Sequence, residues 1–240
     1  ILHLGTDQYG ILLLIWSVTG ILGVMNFGMG EATLRYVAHY FAERNLAGVN
    51  RVMGATLTFY LVVCVVASLA LFAGAPILAA HFKIPVEQQT LVGWLFRCTA
   101  LLFSMGIVIR AYNAIPMALQ RYDISTRINV VQSVVRSGGY VVLAVLKFEL
   151  LHLVLWDLTT QVVVLCVQGV VVRKLAPGVR LLPSLSFKGL REIFGFSAFS
   201  FLTYVFHMLQ RESAKMILGS QLGTAPIAYL GTPDNMSQRL

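Results

Sequence analysis

Charge is what this sequence has least of. Only 12% of its 240 residues are Asp, Glu, Lys or Arg, against 58% that are hydrophobic, whereas a soluble domain carries roughly 25% charged residues. A water-soluble fold of this size has no way to hide so much apolar surface, because most of its exterior must face solvent. Cysteine is scarce as well. Cys64, Cys98 and Cys166 stand far apart in apolar runs, without CxxC or Cys/His spacing, so no thiol-ligated metal is expected and the three are expected to be buried structural thiols. The sequence has no GxSxG, HExxH, P-loop or DxD pattern, so enzyme activity is not expected, nor is a cofactor. Basic residues outnumber acidic ones, 18 to 10. They do not alternate with stacking aromatics in a polar context, which argues against nucleic acid as a partner. The apolar runs also lack the period-two alternation of a transmembrane β-barrel.

Long apolar runs are what the chain does have. A helix needs about 20 such residues to cross roughly 30 Å of hydrocarbon. Candidate spans run from Gln8 to Gly30, with the helix expected to continue past Arg35, then Val52 to Ala80, Thr90 to Tyr112, Ile128 to Leu146, Leu151 to Val172 and Ile193 to Leu218. An incomplete further span begins near Ala225. The expected fold class is therefore all-α, a polytopic transmembrane helix bundle of about six spans plus a partial seventh. The connectors alternate in charge. Arg44, Arg51, Arg110, Arg121, Arg127, Arg173, Lys174, Arg180, Lys188 and Arg191 fall on one side, and only Lys83 and Lys147 on the other. By the positive-inside rule the basic side faces the cytoplasm, and the first span runs outside to inside. The chain lacks an initiator Met at Ile1 and ends inside a new segment, so it is expected to be a piece of a longer protein. The longest connector interleaves Leu181, Leu182, Leu185, Phe187 and Leu190 with Lys188 and Arg191. It is expected to be a hinge lying in the headgroup region, with Ser186 capping a short helix that enters the next span.

Ionisable groups within spans are costly and normally face a bundle interior or a watery cavity. Arg97 and Asp157 lie at similar depth, about 10 Å from the outer ends of their spans, where they are placed to form an ion pair. Arg136 is nearer the midplane. Together they would build a cationic wall suited to phosphate or pyrophosphate, which Arg engages bidentately. The alternative is a structural pair that locks helices together. Glu31 and Arg35 share a helix face at i,i+4, the spacing of a simple intrahelical pair, with a gating or coupling role as the other reading. His207 and Arg211 share a face of the last full span, along with Gln210 and Lys215. That polar stripe would line a water-filled path in which His207 titrates near neutral pH and takes part in proton coupling; a helix-packing histidine is the plainer account. Gly20, Gly23, Gly28, Gly30 and the pair Gly138-Gly139 allow close helix approach or bending.

Three stretches then resemble a known family. Asn26-Phe27-Gly28-Met29-Gly30-Glu31-Ala32-Thr33-Leu34-Arg35-Tyr36 is similar to the end of the second helix of polysaccharide and lipid-linked oligosaccharide flippases, where a (D/N)-x-Gly-hydrophobic-Gly element leads into Ala and Arg. Phe194-Gly195-Phe196-Ser197, and then Lys215 through Gly223 to Tyr229, resemble that family's seventh and eighth helices. Ala118-Leu119-Gln120-Arg121-Tyr122 is similar to its loop after the fourth helix. Where the family has an Asp, this chain reads Arg211-Glu212-Ser213-Ala214-Lys215, which departs from any Asp-based role there.

The resemblance implies membership of the multidrug/oligosaccharidyl-lipid/polysaccharide exporter superfamily, with two pseudo-symmetric lobes, a central cationic cavity and alternating access. Residues 1–175 would form the first lobe without its first helix, 176–192 an amphipathic connector, and 193–240 the start of the second lobe. The implied activity is to turn an undecaprenyl-pyrophosphate-linked sugar from the cytoplasmic to the outer leaflet of the cell membrane, for O-antigen, capsule or other exopolysaccharide. Arg97, Arg136 and Arg211 are then expected to contact the substrate phosphate, and Glu31, Arg35, Asp157 and His207 to gate or couple. Lipid-linked oligosaccharide, membrane lipids and polysaccharide-assembly proteins are the expected partners. A multidrug antiporter of the same superfamily would need an acidic, aromatic-lined cavity, which the Arg-bearing spans argue against. A non-transporting scaffold or assembly subunit would have its interior charges paired.

Overall fold

The computed structural model describes residue 22 and residues 25–81, 86–148 and 150–222, with the side chains of 75–92, 150, 204–205 and 207–222 outside the described set. Six helices follow one another: α1 (Met29–Ala42), α2 (Leu46–His81), α3 (Val86–Ala118), α4 (Tyr122–Val145), α5 (Leu150–Leu175) and α6 (Phe187–Leu222). Four stretches are long and apolar enough to cross a membrane, Leu46–Gly74, Gly93–Ala118, Tyr122–Val145 and Leu151–Leu175. The all-helical membrane bundle is as expected. Most of the first expected span and the incomplete seventh lie outside the described residues.

Helix α3 is the hub, packed against α1, α2, α4 and α5, while α6 docks on α1 and α2. The fully buried side chains Met29, Met53, Tyr60, Leu95, Phe96, Ile115 and Ile193 fill the space between α1, α2, α3 and the start of α6. Helix α4 stands apart. It packs on α5 and the end of α3 and leaves Val130, Val131, Val134, Val141, Val142 and Val145 exposed, a surface that hydrocarbon solvates without cost. Cys98 is buried and Cys64 half-buried, but Cys166 is exposed, because its place in α5 faces away from the hub.

The helix boundaries differ from expectation at three places. The first apolar run does not continue as one helix past Gly30: a turn at Met25–Gly28 interrupts it, with Phe27 and Gly28 both left-handed at φ 49° and 68°. A side chain at residue 28 would be strained by that φ, and its Cβ would come within 2.7 Å of the Ser200 Cβ and 3.0 Å of the Phe201 nitrogen on α6. The polar break after α1 is also shorter than expected. Asn45 N–H donates back to the Tyr40 carbonyl at 2.9 Å, and its side chain accepts the Gly48 N–H at 2.9 Å. One residue thus closes α1 and caps α2. Finally, α3 runs through Pro116 to Ala118, and the expected loop from Pro116 to Arg127 shrinks to Leu119–Arg121. Pro116 has no N–H to give the Tyr112 carbonyl, a loss confined to the last turn of α3, and its own carbonyl accepts the Arg121 N–H at 2.8 Å, which closes the helix end. Arg110 and Arg127 therefore sit within helices α3 and α4 and not in a connector.

Helix α6 begins at Phe187 as one continuous helix of 36 residues. Ser186 caps it as expected, its Oγ accepting the Gly189 N–H at 3.2 Å. The capped helix is the 36-residue α6 itself and not a short separate one.

Candidate functional site

Polar contacts join α1 to its neighbours along one seam. The buried Thr33 hydroxyl donates to the Met29 carbonyl at 2.6 Å, which leaves Thr56 of α2 to donate to Thr33 at 2.8 Å. Deeper in, the Tyr60 hydroxyl donates to Asn26 Oδ1 at 2.7 Å. Glu31, Arg35 and Arg110 are exposed, and Arg110 stands eight residues before the end of α3, roughly 12 Å along the helix. The bundle thus exposes two guanidinium groups and one carboxylate on α1 and α3, the helices packed against the one that carries Tyr60.

Glu31 and Arg35 do not form the intrahelical pair that their spacing allows: no such ion pair occurs among the described residues. The Arg35 guanidinium lies instead 4.5 Å from the centre of the Phe196 ring on α6, a cation–π contact. Aromatic packing continues that junction. Phe27 meets Phe201 at 5.2 Å, and Phe59 meets Phe194 edge-on at 5.4 Å. The Ser197 hydroxyl reaches the Met29 sulfur at 3.1 Å. Toward the basic end, the Tyr40 hydroxyl donates to Glu192 at 3.2 Å and Arg51 stands 3.9 Å from the same carboxylate oxygen, so that α1, α2 and α6 share one charged contact.

The Arg97–Asp157 ion pair expected from equal depth is not formed. Asp157 pairs with Arg136, whose Nε and Nη2 meet the two carboxylate oxygens at 2.7 and 2.8 Å. Arg136 Nε also contacts the Tyr140 hydroxyl at 3.1 Å. The reason is topological. The tight turn at Lys147 folds α4 back along α5, and residues 136 and 157 lie almost equally far from it, eleven and ten positions away. Arg97 instead stacks over Trp94 at 5.0 Å and Phe72 at 5.7 Å. Gly139 permits the close α4–α5 approach, since a Cβ there would collide with the Trp156 indole. Arg211 and His207 fall in α6, where their side chains lie outside the described set.

The sequence places Arg110 among the connector charges, because Tyr112 reads as the end of its span. The available signal was the apolar stretch Ile115-Pro116-Met117-Ala118, which extends the run by another turn.

A family model described as polysaccharide biosynthesis protein matches residues 5–239, nearly the whole chain. No curated protein and no solved structure matches it.

Proposed function

The chain belongs to the polysaccharide biosynthesis protein family, and from that premise we propose that it is a flippase, not an enzyme, which moves a lipid-linked oligosaccharide across the cytoplasmic membrane. The observation that carries this reading is the exposure of Arg35 and Arg110 on neighbouring helices of a membrane bundle, with no ion-pair partner for either among the described residues. A scaffold would favour paired charges, and Arg136–Asp157 is such a pair. Unpaired guanidinium groups within an apolar bundle persist where water or an anionic ligand reaches them, and the fork of Arg matches a pyrophosphate oxygen pair. In this assignment Arg35 and Arg110 hold the substrate phosphates, while Arg97, thirteen residues before Arg110 on α3 and so roughly 20 Å from it, would meet them at another stage of the passage. Arg136 fixes α4 to α5 through Asp157. Glu31 sits beside the cations, where it would repel phosphate once the arginines turn away, a gating role.

The test is translocation of a lipid-linked sugar by the chain in vesicles. Arg35→Ala and Arg110→Ala are each expected to slow transport about ten- to a hundredfold, the size of one lost charge-assisted hydrogen bond. Unchanged transport in both variants would remove these residues from the substrate path.

A further inference from the structure

Between α5 and α6 the chain runs without helix from Ala176 to Ser186. It is not a free hinge: it lies along α2, bound at three points one turn apart. Asn50 donates from its amide to the Gly178 carbonyl at 3.1 Å and accepts the Arg180 N–H at 2.7 Å. Ser184 N–H donates to the Gly54 carbonyl at 3.2 Å, and the Thr58 hydroxyl donates to the Ser184 carbonyl at 3.1 Å. From α3, the Tyr112 hydroxyl donates to the Leu181 carbonyl at 3.4 Å. Gly54 makes room, since a Cβ at that position would run into the Ser184 hydroxyl. Thr58 is twelve residues into α2, roughly 18 Å from its start. The strap therefore reaches well along a membrane helix, where irregular backbone persists only if its polar groups are satisfied by protein.

Its other side is presented outward. Leu182, Leu185 and Phe187 are 71%, 84% and 87% exposed, and Arg180, Lys188 and Arg191 beside them are exposed as well. The nearby acid Glu192 is engaged by Tyr40 and Arg51. Three protruding apolar side chains ringed by uncompensated cations match one chemistry, a leaflet rich in acidic phospholipid. A protein partner covering the same patch would need both an apolar groove and its own acids. We propose that this strap is a docking surface for anionic lipid: Leu182, Leu185 and Phe187 enter among the acyl chains while Arg180, Lys188 and Arg191 engage headgroup phosphates.

The test uses the whole chain in a non-ionic detergent, titrated with phosphatidylglycerol or phosphatidylcholine, with retained lipid counted by mass spectrometry. Phosphatidylglycerol is expected to bind more tightly, and the preference to fade with salt. The triple variant Arg180→Gln/Lys188→Gln/Arg191→Gln is expected to lower phosphatidylglycerol affinity about a hundredfold. Leu185→Ser/Phe187→Ser is expected to weaken both lipids alike. Equal binding of the two lipids by the wild-type chain, or an undiminished preference in the triple variant, overturns the proposal. So does an equal loss from Arg121→Gln/Arg127→Gln, since the effect would then be one of overall charge.

Discussion

At the scale of single residues, Arg136 and Asp157 show how a charge is kept in an apolar helix. Each satisfies the other bidentately, so removing one strands its partner. An unpaired Arg or Asp near the middle of a membrane helix costs about 3 kcal/mol. Asp157→Ala is therefore expected to lower the stability of the chain by about that much in thermal unfolding in detergent or lipid. Arg136→Met/Asp157→Leu, which removes both charges, is expected to recover most of the loss. Equal loss in the single and double variants would mean that the pair carries no coupling. Gly139 makes the complementary point by packing. Gly139→Val would drive a side chain into Trp156 and is expected to cost about 1–3 kcal/mol by overpacking, measured by the same unfolding experiment. The presence of charges at 97, 136 and 157 within apolar spans was legible in the sequence, and so was the small pair at 138 and 139. The partner of Asp157 was not, because depth alone does not say which neighbour a helix turns toward. The turn at Lys147 does say it, and counting outward from that residue identifies Arg136.

At the scale of elements, three helices end with a non-glycine residue in the left-handed region: Arg44, Gln120 and Lys147, with φ between 55° and 57°. Each is followed by a backbone hydrogen bond that closes the end, such as Phe148 N–H to the Leu143 carbonyl at 3.0 Å. Lys147→Gly relieves the left-handed strain at some cost in unfolded-chain entropy. It is expected to stabilise by about 0.5–1 kcal/mol, seen as a raised thermal midpoint. The strap between α5 and α6 gives an opposite case. Asn50→Ala removes two of its hydrogen bonds and is expected to cost about 1–3 kcal/mol. Hydrogen exchange should accelerate over residues 178–186 and not in the hub. The apolar runs made the spans readable, and Ser186 made the start of α6 readable. The strap was not, because its leucines resemble an interfacial hinge, and only the spacing of Asn50, Gly54 and Thr58 on one face of α2 holds it down. The turn at Met25–Gly28 was equally hidden, since an uncharged run carries no mark where it bends.

At the scale of the whole molecule, the basic connectors predict a direction across the bilayer. A cysteine introduced at Lys147 is expected to react with an impermeant maleimide in intact cells, while one at Arg121 should react only after permeabilisation. The reverse pattern would invert the orientation and, with it, the leaflet that the strap contacts. The proposed site is shared among elements that the chain order keeps apart, with Glu31 and Arg35 in α1, Arg110 in α3 and Phe196, against which Arg35 packs, beyond the strap. The sequence puts Glu31 and Arg35 on one helix face and points to Arg97, Arg136 and Arg211 for the phosphate contacts. Arg110 is not among them, because it belongs to the site only once α3 extends past Tyr112.

The pairing of α4 with α5 also bears on how the chain is made. Each of the two helices carries a charge that, alone, opposes its transfer from the translocation channel into lipid. Joined by the short turn at Lys147 and neutralised against each other, they lose that penalty together. The α4–α5 hairpin is therefore expected to enter lipid more readily than α4 alone, and a chain cut short before Asp157 is expected to insert α4 less efficiently.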